Sequence, residues 1–141
     1  MSREAHVRFC ESLGVRFPRA THPHVWGRSR KGKLVVRQVT AKDRFARTLK
    51  AIDQQCRRMR HWMLREQHQR LCQMLRGHYA YFGLSDNGVR LDALCHQAQR
   101  CWRKWLSRRS NESSLSWARF KRVLEHLPLP RPRLVHHYAA R

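Results

Sequence analysis

The sequence predicts a mainly α-helical module: a short N-terminal β-hairpin, a bundle of three helices, a fourth helix and a proline- and arginine-rich tail. Three observations carry that expectation. From Phe45 to Leu127 the apolar residues recur at intervals of three and four, the period of a helix with one buried face. Upstream, the β-formers Val25-Trp26 and Leu34-Val35-Val36 flank Ser29-Arg30-Lys31-Gly32, a turn sequence. Downstream, Pro128, Pro130 and Pro132 exclude a helix and dictate an extended, stiff segment.

Residues 1–24 are poorly patterned, and Pro18 and Pro23 oppose a continuous helix there. They read as a poorly ordered or diverged lead-in. His22 and His24 read as loop residues, because a metal site needs three or four converging ligands. Residues 25–39 form the hairpin. Its turn projects Arg28, Arg30, Lys31 and Lys33 from one tight loop, which suits a phosphate backbone and equally suits a solvated turn.

Thr40-Ala41-Lys42-Asp43 looks like a capping box. The Thr40 hydroxyl can accept an amide of the first turn, and Asp43 favours the positive helix end. Phe45, Leu49, Ile52, Cys56, Met59 and Met63 then make one narrow stripe. The implied first helix is roughly 33 Å long at ~1.5 Å per residue. Arg47, Lys50, Arg57, Arg58 and His61 lie opposite the stripe, so the helix is a basic rod able to follow a phosphate backbone.

A second helix is expected over about Leu64 to Phe82, with Leu64, Leu71, Leu75 and Phe82 as its stripe and His68 and His78 on or near it. Gly77 inside a helix costs ~1 kcal/mol relative to Ala, and close approach of another backbone is one reason to keep it. Tyr79 and Phe82 are assigned to the core in preference to base stacking, and Gly83 stops the helix. Ser85-Asp86-Asn87-Gly88 is a turn and helix start. The third helix runs from about Val89 to Arg109 and buries Leu91, Leu94, Cys95, Ala98, Cys101, Trp102 and Trp105. After a polar break at 111–114, Ser116 caps a short fourth helix carrying Trp117, Phe120, Leu124 and Leu127. His136-His137-Tyr138 in the tail can pack back or remain free.

The 141 residues suit one domain, or one domain plus a tail. Five Trp and five Phe distinguish the chain from a fully disordered basic tail. Against 9 Asp+Glu stand 31 Lys+Arg, a formal charge of +22. Self-repulsion at that charge opposes compaction and calls for a polyanionic partner. A nucleic-acid backbone answers it, because each neutralised phosphate releases a condensed counterion. A membrane surface usually takes a single amphipathic basic helix instead. Here the cations run the length of the chain among aromatics, so no membrane partner is expected.

Met1 to Phe9 lacks the apolar run of a signal peptide, and the longest aliphatic run is Leu34-Val35-Val36. Cys10, Cys56, Cys72, Cys95 and Cys101 are odd in number and show no C-x-x-C spacing. A reducing, cytoplasmic setting fits them better than a disulfide framework.

Enzyme signatures are missing. No glycine-rich phosphate loop, G-x-S-x-G or H-E-x-x-H occurs, and Asp86, Asp92, Glu112 and Glu125 have no partner acid at a two-metal spacing. A Cys/His site from His68, Cys72, Cys95 and His96 is conceivable, but buried small residues on apolar stripes explain them more simply. No catalytic residue, metal or cofactor is expected.

From Trp26 onward the chain resembles the C-terminal thumb or maturase region, called domain X, of group II intron reverse transcriptases. Four segments carry the likeness: Gly27-Arg28-Ser29-Arg30-Lys31-Gly32-Lys33 with Val35-Val36-Arg37; Leu75-Arg76-Gly77-His78-Tyr79-Ala80-Tyr81-Phe82-Gly83; Leu106-Ser107-Arg108-Arg109-Ser110; and Leu115-Ser116-Trp117 to Phe120 with Leu127-Pro128 and Pro130-Arg131-Pro132-Arg133-Leu134-Val135-His136. The second is similar to the family's L-R-G-(H/Y)-Y-x-Y-(Y/F)-G, and the fourth to L-T-W-x-x-(F/Y)…L-P-x-P-R-I-x-H-P. The likeness covers about four-fifths of the chain, in order.

Two departures stand out. No Y-x-D-D motif is present, and Val15-Arg16-Phe17-Pro18-Arg19-Ala20-Thr21 stands where the family has F-x-F-L-G-F. The resemblance therefore implies a thumb-like bundle at 40–110, a basic C-terminal portion at 111–141, and an RNA-binding role without polymerisation by this chain alone. Its partners would be structured group II intron RNA, an RNA/DNA template–primer and a separate polymerase chain. The RNA-binding residues expected are Arg28, Arg30, Lys31, Lys33 and Arg37 on the hairpin; Arg47, Lys50, Arg57 and Arg58 on the first helix; Arg76, His78 and Tyr81 on the second; and Arg100, Arg103, Lys104, Arg108 and Arg109 on the third. Rival expectations are an unrelated basic helical DNA-binding protein, although no tight helix-turn-helix is visible, and a non-functional remnant.

Overall fold

The computed structural model describes residues 24–109 and 114–134. The expected lead-in over residues 1–23, residues 110–113 of the polar break and the tail beyond Leu134 lie outside the described residues.

Two strands, β1 (His24–Arg28) and β2 (Leu34–Gln38), pair antiparallel, with Trp26 opposite Val36 and Arg28 opposite Leu34. The loop closes through Ser29: its carbonyl accepts from the Gly32 amide at 3.0 Å, and its hydroxyl accepts from the Lys33 amide at 3.1 Å. Gly32 sits at φ +77°, a conformation glycine adopts without a Cβ penalty.

Four helices follow: α1 (Lys42–Arg58), α2 (Leu64–Phe82), α3 (Gly88–Ser107) and α4 (Trp117–His126), with a 3-10 turn at Ser85–Asn87. The architecture is the hairpin, bundle and fourth helix that the patterning predicts. α1 and α3 run parallel: Arg90 lies over Phe45 at one end, and Trp105 bonds Asp53 towards the other. α2 runs antiparallel to α3, with Gln67 against Trp102 and Phe82 against Asn87.

The core is the sum of the facing stripes. α1 supplies Ile52 and Cys56, α2 supplies Leu71, Leu75 and Tyr79, and α3 supplies Leu91, Leu94, Ala98 and Trp102. Trp102 is fully buried, stacks on His68 and meets Phe120 of α4 edge-on at 5.6 Å. Ser116 caps α4, accepting from the Arg119 amide at 3.3 Å. The proline-rich segment then packs back over the bundle. Leu129 enters the core, His68 Nε2 meets the Pro128 carbonyl at 2.8 Å, and Leu134 reaches Gly88. A carbonyl only accepts, so His68 Nε2 carries the proton.

Three local expectations are corrected. α1 stops at Arg58, making it about 25 Å long at ~1.5 Å per residue. Met59 is still buried, but Met63 is 73% exposed and leads into α2 as an extended residue. The stripe continues in sequence across a turn that the chain makes in space. Thr40 does not cap α1, whose first flanking residue is Ala41 without a side-chain cap. Gly77 faces open space among the described residues, with nothing within 4 Å of a Cβ placed on it.

Thr40 has a different task. Its amide donates to Asn87 Oδ1 at 3.1 Å, and Asn87 Nδ2 donates to the Thr40 hydroxyl at 2.6 Å and to the Phe82 carbonyl at 2.9 Å. This buried clamp ties the hairpin–α1 junction to the α2–α3 turn. Asn87→Ala strands the Thr40 amide at a cost of about 1–3 kcal/mol, while the Phe82 carbonyl keeps the Leu84 amide at 2.8 Å. A loss of about 1–3 kcal/mol is expected, read as a lower urea midpoint at constant m-value. A loss under about 0.5 kcal/mol would show the clamp to be dispensable.

Candidate nucleic-acid interface

The cations predicted from the sequence divide into those held by internal contacts and those left at the surface. Arg37 belongs to the first group. It lies across Gly27, and its guanidinium donates to the Arg28 carbonyl. Arg103 donates to the Leu115 carbonyl at 2.8 Å and covers the Trp117 ring at 4.4 Å, locking the α3–α4 connection. Lys104 pairs with Asp53, whose Oδ1 also accepts from Trp105 Nε1 at 2.9 Å. Burial alone would raise the Asp53 carboxyl. The hydrogen bonds from Lys104 and Trp105, with the Lys104 charge, outweigh it and hold Asp53 below the usual carboxylate range.

Four of the second group, Arg57, Arg58, Arg108 and Arg109, lie where α1 and α3 both end. Arg57 and Arg108 approach the Trp105 ring at 5.9 and 5.0 Å, one from each helix. Arg57 and Arg58, with Arg60, His61 and Gln54, line a shallow depression of about 490 Å³. Arg109 reaches the Trp62 carbonyl at 3.5 Å, and the Trp62 ring is 46% exposed. The result is a basic ridge in which the exposed Arg57, Arg58, Arg108 and Arg109 gather over the buried Trp105 indole, with exposed Trp62 beside Arg109. Two parallel helix C-termini place partial negative charge here, which favours cations locally. That field explains why arginines are tolerated so close together. It leaves their outward donors available to phosphate.

Arg47 and Lys50 continue the exposed surface along α1, about 10–15 Å from Arg57 at ~1.5 Å per residue. Arg28, Arg30, Lys31 and Lys33 are exposed on the hairpin turn, and Arg76 and Arg100 are exposed on α2 and α3. His78 stacks on Phe82 at 4.4 Å, and burial pushes its imidazole down to about 4. It is neutral at pH 7 and supplies no charge to this surface. Tyr81 is 62% exposed, with its ring against the edge of Phe82.

Four residues outside the sequence-derived site belong to these surfaces: Arg60 and Trp62 in the α1–α2 turn, and Arg131 and Arg133 in the proline-rich segment. Arg60 and Trp62 are obscured in the sequence because the apolar period runs through Met59 and Met63 as though one helix continued. The turn is held by Gln67, a buried side chain whose Nε2 donates to the Trp62 carbonyl at 2.9 Å and whose Oε1 accepts from Trp102 Nε1 at 2.9 Å.

Among the described residues, no three of His, Cys, Asp and Glu gather as a metal site. Cys72 Sγ lies 3.3 Å from His68 Nε2, and Cys95 Sγ points to the Pro130 carbonyl at 3.8 Å. Burial pushes the Cys56, Cys72 and Cys101 thiols up, Cys56 to about 12, so none is a thiolate at neutral pH. No described helix is long and apolar enough to cross a membrane. No protein-family description, curated protein or solved structure matches the chain.

Proposed function

We propose that this chain is an RNA-binding module of the maturase/thumb type, gripping structured group II intron RNA through phosphate contacts and carrying no polymerase chemistry of its own. The observation that carries the reading is the cation ridge at the paired ends of α1 and α3, with the indoles of Trp105 and Trp62 set among its arginines. The likeness of Gly27–Lys33 with Val35–Arg37, of Leu75–Gly83, of Leu106–Ser110, and of Leu115–Phe120 with Leu127–Pro128 and Pro130–His136 to the domain X region supplies the RNA class.

Double-stranded RNA hides its bases in a deep, narrow major groove that side chains cannot read. A rod of about 25 Å with cations along one side therefore engages phosphates and 2′-hydroxyls across the shallow groove. Such contacts set position and orientation without reading base edges. Exposed Trp62 adds a ring on which an unpaired base can stack. Assistance to RNA folding follows, because the module stabilises RNA conformations that bring distant phosphates to one ridge.

The test is binding of the full chain to a structured group II intron RNA across a salt series, with random RNA and duplex DNA as competitors. Five or six phosphate contacts give a log–log slope of about −5. A flat salt response, no preference over random RNA, or stronger competition by duplex DNA would reject the reading.

A further inference from the structure

A second basic site lies away from the ridge, between α2 and the proline-rich segment. The cleft there holds about 660 Å³ and is lined by Arg76, Tyr79, Ala80, Pro130, Arg131 and Arg133. Its three guanidinium groups come from two separate stretches of chain, and no acid is among the lining residues. None of the three makes a hydrogen bond or ion pair with a described residue. Three like charges brought around one cleft raise its positive potential and draw an anion to it.

The cleft is built rather than incidental. Leu129 is buried in the core, and the Pro128 and Pro130 carbonyls meet His68 and Cys95, so the segment carrying Arg131 and Arg133 is anchored just before them. Pro130 and Pro132 restrict the backbone on either side of Arg131, which lowers the entropy lost when its side chain is engaged. Tyr79 forms the floor and is 4% exposed, with its hydroxyl buried beside Cys95. Burial first, and then Cys95, push the Tyr79 phenol up, so it stays neutral.

We propose that this cleft binds one nucleotide unit of a single-stranded nucleic acid, with its phosphate held by Arg76, Arg131 and Arg133 and its sugar and base against Ala80 and Pro130. A planar guanidinium fork matches phosphate oxygens in pairs, and a void of this size lies in the ordinary range for such ligands. The site deepens the RNA-binding reading and rests on it: the ridge would hold the structured part of an RNA, and the cleft would take an unpaired strand.

The full chain is titrated with a fluorescein-labelled uridine tetranucleotide at several salt concentrations. Two triple variants are compared: Arg76→Ala/Arg131→Ala/Arg133→Ala in the cleft, and Arg119→Ala/Lys121→Ala/Arg122→Ala on the exposed side of α4. Both remove three positive charges from exposed positions. The cleft variant is expected to bind at least about tenfold more weakly, with a log–log slope smaller by about 0.7, the share of one phosphate on a single strand. The α4 variant is expected to stay close to the unsubstituted chain. Equal weakening in both, or no binding of the tetranucleotide by the unsubstituted chain, overturns the proposal. Inorganic phosphate added at parity with the tetranucleotide is expected to leave it bound; displacement would make this a free-phosphate site and overturn the strand assignment. Intron RNA binding is followed in parallel. If it persists while the two triple variants behave alike, the cleft alone is rejected. If the unsubstituted chain binds the tetranucleotide selectively but not intron RNA, the cleft stands and the maturase reading falls.

Discussion

Gln67→Leu is expected to lower the free energy of unfolding by about 2–4 kcal/mol, a large share of the stability of a small domain. Leucine matches glutamine in size, so little cavity is created. The cost is polar. Trp102 Nε1 loses its acceptor inside the core, and the Trp62 carbonyl keeps only the longer contact from Arg109. A buried donor without a partner carries its full desolvation penalty, about 1–3 kcal/mol. The substitution also frees the α1–α2 turn, so Arg60 and Trp62 lose their fixed place beside Arg57 and Arg109. Gln67→Glu separates the two halves of the effect, because its carboxylate still accepts from Trp102 but cannot donate to Trp62. Urea titration of the three proteins checks this. Equal midpoints for the unsubstituted chain and the Gln67→Leu variant would remove Gln67 from any structural role.

The second large effect concerns binding. Arg57→Glu/Arg58→Glu/Arg108→Glu is expected to weaken structured RNA binding by about 10²–10³-fold at moderate salt. The log–log salt slope should fall by about 3, at ~0.9 for each phosphate no longer neutralised. The fold should survive, because these three side chains are exposed and Trp105 keeps its bond to Asp53. Removing the two arginine–indole pairs costs about 0.5–1 kcal/mol each. Arg103 and Lys104 provide the contrast, since reversing their charge removes the Leu115 carbonyl bond and the half-exposed Asp53 pair and so lowers stability as well as charge. A thermal transition measured beside the binding curve distinguishes the cases. Unchanged RNA affinity in a folded triple variant would eliminate the ridge as the interface.

The candidate site was only partly legible in the sequence. Arg57, Arg58, Arg108 and Arg109 stand out because they fall off the apolar stripes of their helices, and the structure brings them to one end of the bundle. Arg103 and Lys104 fall off the α3 stripe in the same way, yet their partners Leu115 and Asp53 lie 12 and 51 residues away. Periodicity reports which side of a helix a residue occupies, not what another helix sets against it. Arg131 and Arg133 look like the charged part of a stiff tail in the sequence. They become cleft residues because Leu129 and Pro128 dock that tail on α2 and the core.

The helices themselves were determined locally. Stripes at three- and four-residue spacing, the Ser116 cap, the glycine in the hairpin turn and the prolines after α4 each act through neighbouring residues, so the sequence alone specifies the hairpin, the bundle and the basic character of its surface. Tertiary structure decided the break at Met59–Met63, the Thr40–Asn87 clamp, the Gln67–Trp102 bond and the division of cations between internal contacts and ridge. The clamp and the Gln67–Trp102 bond each depend on a buried polar group finding a partner remote in sequence. Burial without a partner costs more than local propensity contributes, so the packed fold overrules the local pattern at those positions.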